Sequence, residues 1–340
     1  MSFVKVEYIW IDGSVPTKRL CSKTRVCIFT LPYTYLSVNN IPQWRFDGSS
    51  TNRANTNNLD LILKPVKIFN NPIDSGMLVL CEVLNLDGSP HVSNNRNLCL
   101  KTELKLNEQE PLFGIEQEYF IFKGKDSITA EYLGIMPPEG RYFCGIGGNV
   151  SFGREIVQEH LDACIAAGIS IEGINAEVAP GQWEFQIGLL PGVEVSDHLW
   201  VARWLLNRVA EKHGCWINYD AKPYYNYNGS GAHVNFSINR MRDSKLNCED
   251  VCKCFESRCQ EHLAVYGYNY QEHLTGSHET SSFNEFRYGH SDKMASICIS
   301  SSNTFIKDRR PNANIDPYEV TNVIMETINL NLDFLNIERK

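Results

Sequence analysis

Two observations in the sequence predict an α+β fold. Residues 1–90 read as a succession of short strands, and the remainder mixes strand-like alternation with helical periodicity. Only a polar stretch interrupts the opening strands.

The elements follow in order. Val4 to Ile11, Thr24 to Thr30 and Met77 to Val83 are rich in β-branched and aromatic residues, the composition of a pleated, half-buried surface. Asp12-Gly13 and Asp87-Gly88 are turn signals beside these runs. Asp47 to Asn58 has little apolar content and is expected to be a loop; long polar loops in compact domains are often functional. Phe113 to Phe122 alternates as a strand. Ile156, Val157, His160, Leu161, Cys164 and Ile165 recur at helical spacing, with Gly168 placed to end that helix. Leu199 to Ala210 reads as a second helix, with Gly214 beyond it. Asp316-Pro317 opens a last one, the Asp capping and the Pro in the first turn.

The chain has 340 residues, 43% hydrophobic and 21% charged, enough to bury a large core without disulfides. A net charge of −8 argues against a general nucleic-acid binder. No signal-like opening and no long apolar run is present, so no membrane partner is expected, and twelve cysteines without a disulfide framework predict a cytoplasmic protein with reduced thiols. Cys248, Cys252, Cys254 and Cys259 lie close together, but Val251, Phe255 and Cys259 recur at helical spacing. Cys252 and Cys254 then point about 200° apart, which is unsuited to a shared metal.

The carboxylates carry the chemical signal. Glu116 and Glu118 stand two apart in Gly-Ile-Glu-Gln-Glu-Tyr-Phe, and residues i and i+2 of a strand share a face. Two acids on a mostly apolar strand are costly if buried unpaired, and a hard divalent cation such as Mg²⁺ or Mn²⁺ relieves that cost. Glu177, Glu184 and His233 also fall in apolar, strand-like runs.

Larger blocks give this pattern a family. Tyr8 to Gly13, Trp44 to Thr51, Phe113 to Tyr119, Asn175 to Ile187, Asp197 to Arg203, Asn228 to Ser237, Leu274 to Ser281 and Asp308 to Pro311 resemble, in order, blocks of the eukaryote-type glutamine synthetases. The resemblance implies a β-grasp-like N-terminal domain over 1–90. A catalytic domain over 91–340 would follow, with a curved, mainly antiparallel sheet backed by helices. It implies ATP-dependent ligation of glutamate and ammonia through a γ-glutamyl phosphate, with two divalent metals. Carried over, Glu118, Glu177 and Glu184 hold one metal, and Glu116 and His233 help hold the other. Asn228 and Gly229 contact glutamate, and Asn235 and Ser237 lie by the nucleotide. Asp47 helps bind ammonium from a neighbouring subunit, Glu279 on a flap takes its proton, and Arg309 lies near the transferring phosphoryl group. The assembly implied is two stacked pentameric rings, as a homo-oligomer or mixed with an active paralogue.

Four positions depart from the pattern. Lys307 replaces a metal-binding Glu, which leaves occupancy of the second metal position open. His273 replaces an Arg for the glutamate carboxylate, Lys293 an Arg that helps with phosphate, and Cys298 an Arg at the nucleotide. Residues 300–306 also look shortened. A Lys or His does not reproduce the planar fork of Arg. These changes predict reduced or lost activity with a structural or regulatory role. The alternatives are a working glutamate–ammonia ligase, or a related ligase for another amine or acid. Gain of a base where an acid is lost suggests that the Lys307 ammonium takes part of the second metal's space and pairs with Glu116.

Overall fold

The computed structural model describes residues 2–30, 36–49, 60–124, 126–127, 141–224 and 227–337. Its fold is α+β. Strands β1 (Ser2–Ile11), β2 (Leu20–Phe29), β3 (Trp44–Asp47), β4 (Asp60–Asn70) and β5 (Met77–Leu84) form one sheet, ordered β2-β1-β5-β4-β3 among the described residues. Its pairings are antiparallel except β1 with β5. Alternation along β1 and β5 serves both faces. Val6, Tyr8, Trp10, Val79 and Cys81 fill the sheet's own core, while Ile9, Leu78 and Leu80 join the core of the rest of the chain. Pro65, which has no N–H to donate, lies at the register shift in β4.

The remainder runs α1 (Asn95–Leu106), β6 (Leu112–Lys123), β7 (Asp126–Ser127), α2 (Arg154–Ala167), β8 (Ile171–Ala176), β9 (Gln182–Leu190), α3 (Gly192–Lys212), β10 (Cys215–Asn218) and β11 (Ala232–Ser237). Then come α4 (Asn239–Arg242), α5 (Cys248–Ser257), α6 (Cys259–Leu263), α7 (Tyr270–His273), β12 (Tyr288–His290), β13 (Ile297–Ile299), β14 (Ile306–Asp308) and α8 (Pro317–Leu330). The second sheet is ordered β12-β13-β14-β11-β6-β9-β8, with β7 and β10 also paired to β6. All these pairings are antiparallel except β12 with β13. Helices α2 and α3 back it, and α1 and α8 pack beside α3.

The expected caps are present. Gly168 ends α2 with φ 82°, its N–H reaching the carbonyls of Cys164 and Ile165. The Asp316 side chain accepts from the Tyr318 N–H ahead of Pro317. Asp197 ties three helices together: Arg96 donates two hydrogen bonds to it at 2.8 and 2.9 Å, and the Tyr318 hydroxyl a third at 2.5 Å.

Some boundaries differ from the sequence reading. Helix α3 begins at Gly192, not Leu199, because nearly every residue from 192 to 206 is buried and no polar face reveals its start. Strand β2 begins at Leu20. Cys259 lies on a separate short helix, and Cys248, Cys252 and Cys254 are buried in the main core. Asp47 ends strand β3 rather than opening a loop, and residues 50–58 of that expected loop fall outside the described residues.

Candidate functional site

Strand β6 is the spine of the site, because it is paired on both sides. Glu116 lies opposite His233 of β11, and Glu118 lies opposite Glu184 of β9. Directly opposed residues of an antiparallel pair put their side chains on one face, so the register alone brings these four groups together. Glu177 joins them from just beyond the end of β8. It is not itself in a strand, contrary to the sequence reading.

Two groupings result. Ligand atoms of Glu118, Glu177 and Glu184 lie within 4.8 Å of one another, and so do those of Glu116, Glu184 and His233. Neutral donors hold the first grouping. Glu118 Oε2 accepts from the Gly231 N–H at 2.8 Å and from the Gln182 amide at 3.1 Å. Glu177 Oε1 accepts from Asn175 at 2.9 Å, and Gln186 donates to both Asn175 and Glu184. Burial, together with the negative charge of Glu177 and Glu184, pushes the Glu118 carboxyl well up. Burial also raises Glu177, and burial with its acidic neighbours pushes Glu184 up to about 7. Three crowded carboxylates with amide donors are the oxygen-rich donor set a hard divalent cation takes, so the first grouping fits Mg²⁺ or Mn²⁺.

The second grouping does not. Both Glu116 oxygens are engaged: Asn235 donates to Oε1 at 2.9 Å, and the Lys307 ammonium donates to Oε2. Burial alone would raise the Glu116 carboxyl, but His233 and Lys307 outweigh it and hold the group well below the usual range. His233 Nδ1 is 3.8 Å from both Glu116 and Glu118, and burial with the nearby Arg309 charge pushes this imidazole down to about 3.

Close backbone approach shapes the wall. A Cβ at Gly231 would stand 2.4 Å from His233 Nε2. One at Gly229 would stand 2.5 Å from the Ala221 carbonyl and 2.9 Å from His273 Nδ1. His273 is buried, its ring centroid 6.2 Å from that of His233, and among the described residues neither ring nitrogen has a partner at normal hydrogen-bond geometry. Burial pushes its pKa down to about 4, so the ring is neutral near pH 7. Asn228 lies half-buried on the same loop as Gly229.

The remaining residues singled out in the sequence spread outward. Asn235 is in the pocket, whereas Ser237, at the end of β11, accepts from Arg242 at 3.0 Å. Arg309 donates to the Glu279 carbonyl at 3.1 Å, and Lys293 Nζ is 3.8 Å from the Glu279 carboxylate. Glu279 is exposed and left-handed at φ 59°. Cys298 lies across from Lys307 on β13. Asp47 is on the other sheet, exposed, accepting from Ser49.

Sequence reasoning missed several supporting residues. Gln182 bridges Glu118 and the Gly229 carbonyl, and Gln186 links Asn175 to Glu184. Buried Arg203 clamps Gln117 of β6 to the carbonyls of Ala313 and Ile315. Beneath Arg309, Arg310 is paired with Asp308, which also accepts from Tyr266 at 2.7 Å. The signal for Gln182 and Gln186 was their place in the Glu184 block, two residues on either side of that acid.

Comparison with known proteins agrees with this architecture. Residues 95–262 match the family model described as "Glutamine synthetase, catalytic domain". The chain is 47% identical to a glutamine synthetase of Streptomyces hygroscopicus, over 95% of this chain and 96% of that protein. It is 43% identical to one of Tuber borchii, over 96% and 92%. A cryo-EM structure of Plasmodium falciparum glutamine synthetase superposes with a TM-score of 0.75 at 16% identity, covering 95% of this chain and 71% of that one, a likeness of fold.

Proposed function

The chain belongs to the glutamine synthetase family, and from that premise we propose that its pocket serves ATP-dependent joining of glutamate and ammonia through a γ-glutamyl phosphate, at a reduced rate. The grouping of Glu118, Glu177 and Glu184, with ligand atoms within 4.8 Å, carries the reading. These residues would hold a divalent cation, which when bound supplies charge neutralisation and a template for phosphate groups.

The other roles are assigned to this chain's own groups. Asn228 and Gly229 contact glutamate, and Asn235 and Ser237 border the nucleotide. Arg309 and Lys293 offer positive charge to the transferring phosphoryl group. Glu279, which both of these cations face, takes the proton of the incoming ammonium. Asp47, on the five-stranded sheet, contributes to the pocket of a neighbouring subunit. The reading therefore carries an assembly of two stacked pentameric rings, in the cytoplasm, with 1–90 as the N-terminal domain and 91–340 as the catalytic one.

Reduced rate follows from charge. Neutral His273 offers no fork to a carboxylate, and the Lys307 ammonium neutralises Glu116. That ion pair also favours a second reading, in which turnover is lost and the chain is a structural or regulatory subunit. Glutamine formation with saturating glutamate, ammonium, ATP and Mg²⁺ or Mn²⁺ separates them. Slow turnover supports the proposal, and turnover typical of enzymes, about 10 s⁻¹, removes the impairment. No turnover from a folded oligomer supports the second reading.

A further inference from the structure

We infer that each chain takes a single divalent cation, at Glu118, Glu177 and Glu184, and that the ammonium of Lys307 is the built-in cation of the adjoining position at Glu116 and His233. The inference rests on the ligase-pocket reading above.

Three observations lead to it. The two ligand groupings share Glu184 and differ in what already occupies their oxygens. In the first, every donor to a carboxylate among the described residues is a neutral amide or backbone N–H. In the second, Glu116 has both oxygens engaged, one by Asn235 and one by Lys307. A cation entering there must displace an ammonium and then face it across a few ångströms of half-buried space.

The position of Lys307 is also enforced. In its strand it lies directly opposite Asn235 on one side and Cys298 on the other, both uncharged. Beyond it, Asp308 is buried against Arg310 and Tyr266, which anchors the strand end and leaves the Lys307 side chain no acid nearer than Glu116 among the described contacts. The ammonium has three donors and gives one to Glu116, so it can also meet an anion in the pocket as a point charge.

The test is Mn²⁺ binding to the purified, metal-stripped protein, read as free Mn²⁺ by electron paramagnetic resonance without substrates. The expected stoichiometry is one Mn²⁺ per chain, lost in Glu177→Gln. Lys307→Glu should bind two per chain. Lys307→Gln should bind a second Mn²⁺ at least tenfold more weakly than the first, and it serves if the Glu variant does not fold. Two Mn²⁺ on the unaltered chain, or one on both Lys307 variants, would overturn the inference and leave the ligase-pocket reading standing. No Mn²⁺ on any form would overturn that reading as well.

Discussion

Cys298 stands directly opposite Lys307 in the antiparallel pairing of β13 and β14. Two of the four positions that the sequence reading takes as departures from the family pattern are therefore cross-strand neighbours, and they carry one thiol and one ammonium. Like charges directly opposed destabilise a sheet, whereas opposite charges support it. Cys298→Arg alone should lower stability by about 0.5–1 kcal/mol. In a Lys307→Glu background the same change should be neutral or stabilising. The coupling from the four melting temperatures should exceed about 0.5 kcal/mol, and simple additivity would mean that the two side chains do not interact.

Mn²⁺ should raise the melting temperature, because it binds the folded pocket and not the unfolded chain; a hundredfold excess over Kd is worth about 2.7 kcal/mol. Glu118→Gln should abolish the rise while leaving the metal-free protein at least as stable, since it removes a carboxylate crowded by Glu177 and Glu184. Differential scanning calorimetry with and without Mn²⁺ reads both effects.

Arg310 and Asp308 are each about as buried as a core leucine, at 2% and 1% side-chain exposure. Arg310→Met should cost about 3–5 kcal/mol by leaving a buried carboxylate unpaired. Adding Asp308→Asn should recover part of the loss, because Asn still accepts from Tyr266 without carrying charge. Urea midpoints of the three proteins decide it.

His160 predicts the acid limit. The ring is enclosed between α2 and α3, donates through Nε2 to the Ala202 carbonyl at 3.0 Å, and is pushed by burial down to about 4 from its ordinary 6.5. As pH falls, the unfolded chain takes up this proton first. The contribution is thus complete above pH 6.5 and is lost progressively down to about 4. His160→Gln keeps a donor for Ala202 and should flatten the fall by up to about 1.4 kcal/mol per pH unit. Melting curves between pH 7 and 4.5 measure that slope.

Legibility tracked locality. Strands β1, β5 and β6 and the caps of α2 and α8 were readable because their signals lie within a few residues. The pairing of Lys307 with Glu116 was readable because an acid-to-base change at one position points to a nearby acid. Helix α3 hid its start because burial on nearly all sides erases periodicity. Arg203 was opaque as a brace, since its partners Gln117, Ala313 and Ile315 lie 86 to 112 residues away. That His273 lacks a well-formed hydrogen bond among the described residues is a property of its surroundings, which no spacing rule encodes.

The separation of Glu116 from Lys307 by 191 residues also orders the making of the protein. Synthesis runs from the N-terminus, so all four acids of the pocket exist before the lysine that balances one of them. Through most of translation the nascent pocket is more acidic than the finished one. The ammonium arrives with β14, the last of the described strands, so closing this contact comes late in folding, as expected for a link between such distant segments.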